Sequence, residues 1–165
     1  MSSRFQRITP FLWFNDEAEE AAHFYVSLFE HSRVLSIARY DKSTAKAANR
    51  PEGTAMTVAF ELDGQHFTAL NGGPVFTFNP SISLVVNCHT QEEVDHFWNA
   101  LSQDGDPSAQ QCGWLKDRYG LSWQIVPVQL MELLGSGDPA KAQRVMQAVL
   151  SMKKLDLTAL ESAAA

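Results

Sequence analysis

The sequence predicts an α+β fold in which one β-α-β-β-β module is used twice and then followed by helices. Three observations point there. The stretch Glu19-Glu20-x-x-His23-Phe24-Tyr25-x-x-Leu28 recurs as Glu92-Glu93-x-x-His96-Phe97-Trp98-x-x-Leu101. Each copy follows a short apolar run, at residues 8–14 and 82–86. After residue 127 the pattern turns helical and stays so. A repeated strand–helix unit constrains the whole architecture, because each copy must bury the same face against the same kind of neighbour. Each module has one sheet face to cover with its own helix. The remaining faces can form a cupped mixed sheet, so a ligand site would lie most naturally between the two copies.

Residues 8–14 are almost continuously apolar and read as a buried strand. Asn15-Asp16 supplies helix-capping chemistry, and Glu17, Glu19 and Glu20 suit the positive end of a helix. Ala21, Phe24, Tyr25, Leu28 and Phe29 then fall at helical spacing. Residues 33–40 return to an extended pattern. Residues 41–53 are polar and small, punctuated by Pro51 and Gly53, and read as a mobile loop. Residues 54–62 alternate around Met56, Val58, Phe60 and Leu62. Asp63-Gly64 is a two-residue hairpin signal leading into residues 65–71. Asn71-Gly72-Gly73-Pro74 closes the first module.

The second module opens with the strand at 81–86. Thr90 with Glu93 forms a capping-box pattern for a helix reaching about residue 103. Residues 108–116 read as one or two short strands, so the middle of this module is abbreviated. Asp117-Arg118-Tyr119-Gly120 makes a turn into the strand 121–127. In the tail, 128–134 is helical, and Asp138-Pro139 starts a second helix with Asp as cap and Pro in the first turn. Val145, Met146, Val149, Leu150 and Met152 form its apolar stripe. Residues 156–160 add a last turn, and 163–165 are expected to fray. The whole, 1–165, reads as a single domain, with module one at about 5–75, module two at about 80–127 and a helical tail at 128–165.

Composition narrows the function classes. The chain is 45% hydrophobic and 19% charged, an ordinary globular balance. A net charge of −6 with scattered Lys and Arg argues against nucleic-acid binding. No apolar run is long enough to span a membrane, and residues 1–10 lack the apolar core of a leader. Cys88 and Cys112 make no disulfide framework, so reduced thiols and a cytoplasmic setting are expected.

Three stretches carry a family resemblance: residues 8–14, 22–29 and 67–74. The most specific is Cys112-Gly113-Trp114-Leu115-Lys116-Asp117-Arg118-Tyr119-Gly120-Leu121-Ser122-Trp123-Gln124-Ile125-Val126-Pro127, and the tail at 144–154 is similar as well. On these segments, over roughly residues 5–160, the chain resembles the vicinal-oxygen-chelate superfamily. That superfamily includes glyoxalase I, extradiol dioxygenases and antibiotic-resistance proteins. More narrowly the chain resembles its PhnB-like branch, whose members often carry the name 3-demethylubiquinone 3-methyltransferase. The resemblance implies a homodimer with symmetry-related cavities.

Metal-dependent relatives place His, Gln or Glu on the opening and closing strands of each module. Here residues 8–14 and 81–87 contain no His, Asp or Glu. Aligning the turns Asp63-Gly64 and Tyr119-Gly120 matches residues 65–70 to 121–126. Gln124 then stands where such relatives often carry Glu, while its counterpart is Thr68. His66 is two residues from Thr68 and shares its side of the strand. One weak pair falls short of the three or four ligands a transition metal needs, so no metal is expected. Gly72-Gly73-Pro74 leads into Val75-Phe76-Thr77-Phe78 rather than a helix. It therefore lacks the strand–glycine–helix form of a methyl-donor site, and no cofactor is expected.

Cys112 would need a neighbouring base or cation to act as a nucleophile, with Lys116 and His66 as nominal partners. A small packed thiol is the simpler role. Asp117-Arg118 reads as turn chemistry before catalysis. His23 and His96 repeat with the fold, and they are expected on helix surfaces, as are His31 and His89 at element ends. Trp123 should face the core with Leu121 and Ile125. Trp114, with Phe11 or Trp13, can line an aromatic wall, and polar groups from His66, Thr68, Ser83, Ser122 and Gln124 would suit a planar or quinone-like ligand. In an enzyme His66 would be the acid–base group, Gln124 would orient a carbonyl or hydroxyl, and Thr68, Ser83, Trp114 and Ser122 would bind substrate.

The expected function is a metal-free, PhnB-like small-molecule-binding protein or enzyme of unassigned activity. Two alternatives stand beside it: a protein that sequesters an aromatic compound for resistance, and a metal-dependent glyoxalase-type lyase or isomerase.

Overall fold

The computed structural model describes residues 5–165 in two compact units, one ending at Thr77 and the other running Phe78–Ala165. The reading of residues 1–10 lies partly outside the described residues.

The first unit contains β1 (Phe11–Phe14), α1 (Ala18–Leu28), β2 (Arg33–Arg39), α2 (Lys42–Ala48), β3 (Ala55–Leu62) and β4 (Gln65–Asn71). Its sheet has the order β1-β4-β3-β2, with β1 parallel to β4 and the other pairs antiparallel. The parallel pair follows from the chain between them, which is long enough to cross over through α1. Ala18, Ala21, Ala22 and Tyr25 are the buried residues of α1. Small residues on that face allow close approach to the sheet, where Tyr25 meets Phe60 and Phe60 stacks on Phe67 at 5.5 Å. Phe24, Leu28 and Phe29 are only half-buried, so the helix packs through alanines more than its larger apolar residues suggest. Asp63 and Gly64, at φ 45 and 76, form the expected hairpin turn in the left-handed region that this turn requires.

Two expectations fail here. Asn15 and Asp16 do not cap α1. Its end is met by Asn71, whose side-chain oxygen accepts from Ala18 N at 2.8 Å. Residues 41–53 are not simply a loop, because they hold α2. Asp41 accepts from Ser43 N and Thr44 N, Thr44 reciprocates at the cap backbone, and Asn49 ends the helix in the left-handed conformation.

The second unit contains β5 (Leu84–Cys88), α3 (Gln91–Ser102), a 3₁₀ turn (Pro107–Ala109), β6 (Trp114–Lys116), β7 (Ser122–Pro127), α4 (Gln129–Leu134), α5 (Pro139–Ser151) and α6 (Leu157–Ala164). Its sheet has the order β5-β7-β6, with β5 parallel to β7 and β6 antiparallel. The opening strand thus pairs in parallel with the closing strand in both units, as a repeated module demands. The middle of the second copy is abbreviated, as expected, to the single short strand β6. Just ahead of β6, the N–H groups of Cys112 and Gly113 donate to Met152 O and Lys153 O of the tail.

Thr90 caps α3 as expected, but Glu93 reaches His89 N, one residue earlier than a full capping box requires. Trp123 and Ile125 form the core face of β7, with Leu121 buried just ahead of it. Asp117 is buried and accepts from Tyr119 N, Leu121 N and Trp123 Nε1, so its role is to build the turn. Leu157–Ala164 form a complete helix, where a single turn and a frayed end were expected. Leu160 and Ala164 join Leu130, Val145, Val149 and Leu155 in one apolar cluster. Among the described residues no helix is long and apolar enough to cross a membrane.

Candidate functional site

Strand alternation divides β6 and β7 into two faces. Leu115, Trp123 and Ile125 are buried in the core. On the other face, Trp114 lies opposite Gln124 and Lys116 lies opposite Ser122. Directly opposed residues of an antiparallel pair share a face with Cβ atoms about 5 Å apart. This face opens onto a recess of about 290 Å³, whose lining includes Trp114, Lys116, Ser122, Asp106, Ser108 and Ala109.

Three of the six predicted site residues therefore converge on one sheet face, and a fourth, Ser83, is bonded to one of them. Trp114 and Ser122 line the recess, and Gln124 beside them donates through Nε2 to Ser83 Oγ at 2.9 Å. That bond engages the Gln124 amide nitrogen and leaves its carbonyl oxygen able to accept. Ser122 is 1% exposed, and its Oγ has no hydrogen-bond partner. A buried hydroxyl left unpaired costs roughly 1–3 kcal/mol, so such a group marks a place where a partner is wanted.

Sequence reasoning did not assign Lys116 or Asp106 to a site. Lys116 was legible, since it stands two residues from Trp114 on a strand and so shares its face. Asp106 was not, because the 3₁₀ turn that presents it follows no simple periodicity. Its Oδ1 accepts from Ser108 N and Ser108 Oγ. Those bonds from the Ser108 side chain and backbone, with a smaller contribution from the positive charge of Lys116, hold the Asp106 carboxyl below its usual range.

The other two predicted residues belong to the first unit. His66 and Thr68 lie on the same face of β4, His66 exposed and Thr68 half-buried. The backbone of His66 is clamped by Gln6, which accepts from His66 N and donates to His66 O. His66 lies opposite Glu61 across the β3–β4 pair, and Glu61 is bound to Arg33. His23, His31, His89 and His96 are all exposed. Cys112 packs at the edge of the tail cluster and is half-buried. Trp13 Nε1 donates to Gly73 O, and Phe76 meets its ring edge-on at 5.0 Å.

That packing decides whether the glycine pair can serve a methyl donor. A Cβ at Gly72 would fall 2.1 Å from the Trp13 ring. The glycine is needed for the indole, no helix follows it, and the residues present do not fit an S-adenosyl cofactor. A metal fares no better. Among the described residues no three of His, Cys, Asp and Glu gather as a ligand set. No step is routed through either group.

Two units that each lay their opening strand parallel to their closing strand, with a polar and aromatic open face, define a paired-module α+β protein of PhnB-like, vicinal-oxygen-chelate type. The sequence itself supplies the family. Residues 6–126 match the family described as 3-demethylubiquinone-9 3-methyltransferase, and the chain belongs to it. That span ends well short of residue 160, to which the resemblance was expected to run.

Among solved structures, the chain is similar to a putative 3-demethylubiquinone-9 3-methyltransferase, PhnB protein, from Bacillus cereus. The identity is 41% and the TM-score 0.65, over 74% of this chain and 100% of that one. It is also similar to the protein PA1353 from Pseudomonas aeruginosa, 19% identical with a TM-score of 0.55, over 74% of this chain and 98% of that one. A glyoxylase/bleomycin resistance protein/dioxygenase domain from Frankia sp. EAN1pec is matched at 11% identity and a TM-score of 0.45, over 75% and 93% of the two chains. No curated protein matches the sequence.

Proposed function

We propose that this chain is a metal-free small-molecule-binding protein or enzyme of its family, whose planar, aromatic or quinone-like ligand lies on the open face of β6 and β7. The single observation that carries the reading is the buried Ser122 hydroxyl without a partner, at the wall of a recess that Trp114 also lines. An aromatic ring against Trp114 with an oxygen near Ser122 would satisfy both groups. Gln124, oriented by Ser83, offers a carbonyl to a ligand hydroxyl. His66, with Thr68 on the same face of β4 in the first unit, is a separate acid–base candidate of this reading, tested on its own by His66→Ala. The chain acts as a homodimer in this proposal.

The test is a thermal-shift and calorimetric screen against quinones, phenols, S-adenosylmethionine and Zn, Ni, Mn and Fe salts. The expected result is stabilisation by an aromatic or quinone compound, weakened in Ser122→Ala and Gln124→Ala. Ser122→Ala should leave the unliganded protein as stable as before, or more so, because it removes an unpaired buried hydroxyl. Stoichiometric metal with a metal-dependent rise in Tm would overturn the reading and point to glyoxalase-type chemistry. Tight binding without turnover, indifferent to His66→Ala, would make the protein a sequestering one.

A further inference from the structure

We infer that the recess on β6 and β7 selects a monoanionic aromatic acid or phenolate, its charged oxygen accepting from Ser122 Oγ and facing Lys116 while its ring lies on Trp114. The inference rests on the reading of that recess as the ligand site and adds the charge and size of what fills it.

Four observations support it. Lys116 and Ser122 are directly opposed across the strand pair, so the ammonium stem and the hydroxyl rise from the same patch of sheet. Ser122 Oγ is the group in need of a partner, and an ionised oxygen is a stronger acceptor for it than a neutral carbonyl. Trp114 lies two cross-strand pairs along, the next on the same face, which puts an aromatic surface beside the charged end. The volume of about 290 Å³ suits one or two fused rings and is too small for a nucleoside-bearing cofactor.

Asp106 sets the sign more finely. Its carboxylate lines the same recess, and the charge of Lys116 helps to keep it ionised. With one cation and one anion the recess is locally neutral. It accepts a single negative charge next to Lys116 and repels a second one pressed towards Asp106. A monoanion is therefore preferred over both a neutral analogue and a dianion.

The experiment is isothermal titration of the full chain, at low salt and pH 7.5, with three probes of one ring system: naphthoate, naphthamide and naphthyl phosphate. Naphthoate should bind at least about tenfold more tightly than the neutral amide, and more tightly than the phosphate ester. Lys116→Gln should erase the preference for naphthoate over naphthamide, and Lys116→Arg should preserve it. If Lys116→Gln does not fold, the wild-type ratio together with Lys116→Arg decides the matter. Equal binding of naphthoate and naphthamide, still weakened by Ser122→Ala, would overturn the charge inference and leave the recess standing as a ligand site. Failure of all three probes, with quinones also inert, would overturn the underlying reading of the recess as well.

Discussion

Asn71 performs the capping expected of Asn15 and Asp16, from a strand that the sequence places far away. Its side-chain oxygen accepts from Ala18 N at 2.8 Å, and its amide donates to Ala55 O at 3.0 Å. Tyr40 Oη donates to its backbone carbonyl. All of this is buried, so Asn71→Ala would leave a donor and an acceptor without partners or water. The expected loss is about 2–4 kcal/mol, counting roughly 1–2 kcal/mol for each orphaned group. Urea unfolding of the variant checks this, and a change below about 0.5 kcal/mol would show that solvent replaces the amide.

Cys88 makes a second prediction at this scale. Burial, with a smaller contribution from Glu93, pushes its thiol from 9.0 up to about 12. Because the folded value is raised, the neutral thiol favours the folded state fully below about pH 9. That contribution is lost as the pH climbs from 9 towards 12. At pH 8 a thiol reagent should label the native protein at Cys112 alone, and Cys112→Ser should abolish labelling while Cys88→Ser leaves it unchanged. Rapid native labelling of Cys112→Ser would refute the buried placement of Cys88.

Helix α2 shows what local chemistry can and cannot reveal. Asp41-Lys42-Ser43-Thr44 is a capping box followed by three alanines within five residues, and that signal was legible. It was outweighed by Pro51 and Gly53, which do end the segment but lie beyond the helix. Asp63-Gly64, Thr90 and Asp138-Pro139 were readable because the groups they satisfy lie within a few residues. The Asn71 cap and the tail pairing at Cys112 and Gly113 were not, since their partners are distant in sequence and belong to tertiary structure. The site divides the same way. Trp114, Ser122 and Gln124 follow from alternation on strands with recognisable turns, whereas Asp106 depends on an irregular turn.

The cap of α2 is also titratable. Hydrogen bonds from Thr44 N first, then from the Ser43 and Thr44 side chains, pull the Asp41 carboxyl from 3.8 down to about 2. A depressed folded value stabilises the helix above about pH 4, and the effect drains away as the pH falls from 4 to 2. Amide exchange of residues 42–48 should accelerate across that window ahead of α3, whose Thr90 cap carries no charge. Asp41→Asn should flatten the dependence. Simultaneous loss of α2 and α3 in the variant and the parent would refute the local origin.

At the scale of the molecule, the helical tail is the part that the family match does not reach, because that match ends at residue 126. The tail still belongs to the second unit. It supplies Leu130, Val145, Val149, Leu155, Leu160 and Ala164 to one cluster, and Cys112 and Val126 pack against it. Its backbone carbonyls accept from Cys112 N, Gly113 N, the Gln91 side chain and the Gln111 side chain. None of the residues lining the recess comes from it. Ending the chain after residue 127 should therefore separate stability from binding. With Val128 N to Cys88 O, Gln129 Nε2 to His89 O and Leu157 N to Gln91 Oε1, seven hydrogen bonds would pass back to water. At roughly 0.5–1.5 kcal/mol each, that lowers Tm by about 10 °C or more for a chain of this size. Binding at the recess should persist below that lower Tm, because Trp114, Lys116 and Ser122 keep their strand pairing. Calorimetry for Tm and titration with the best ligand at 10 °C check the two halves. An unchanged Tm would show that the tail is an appended bundle. Lost binding in a protein that remains folded would mean that the tail shapes the recess through Cys112 and Gly113, the two residues just ahead of β6.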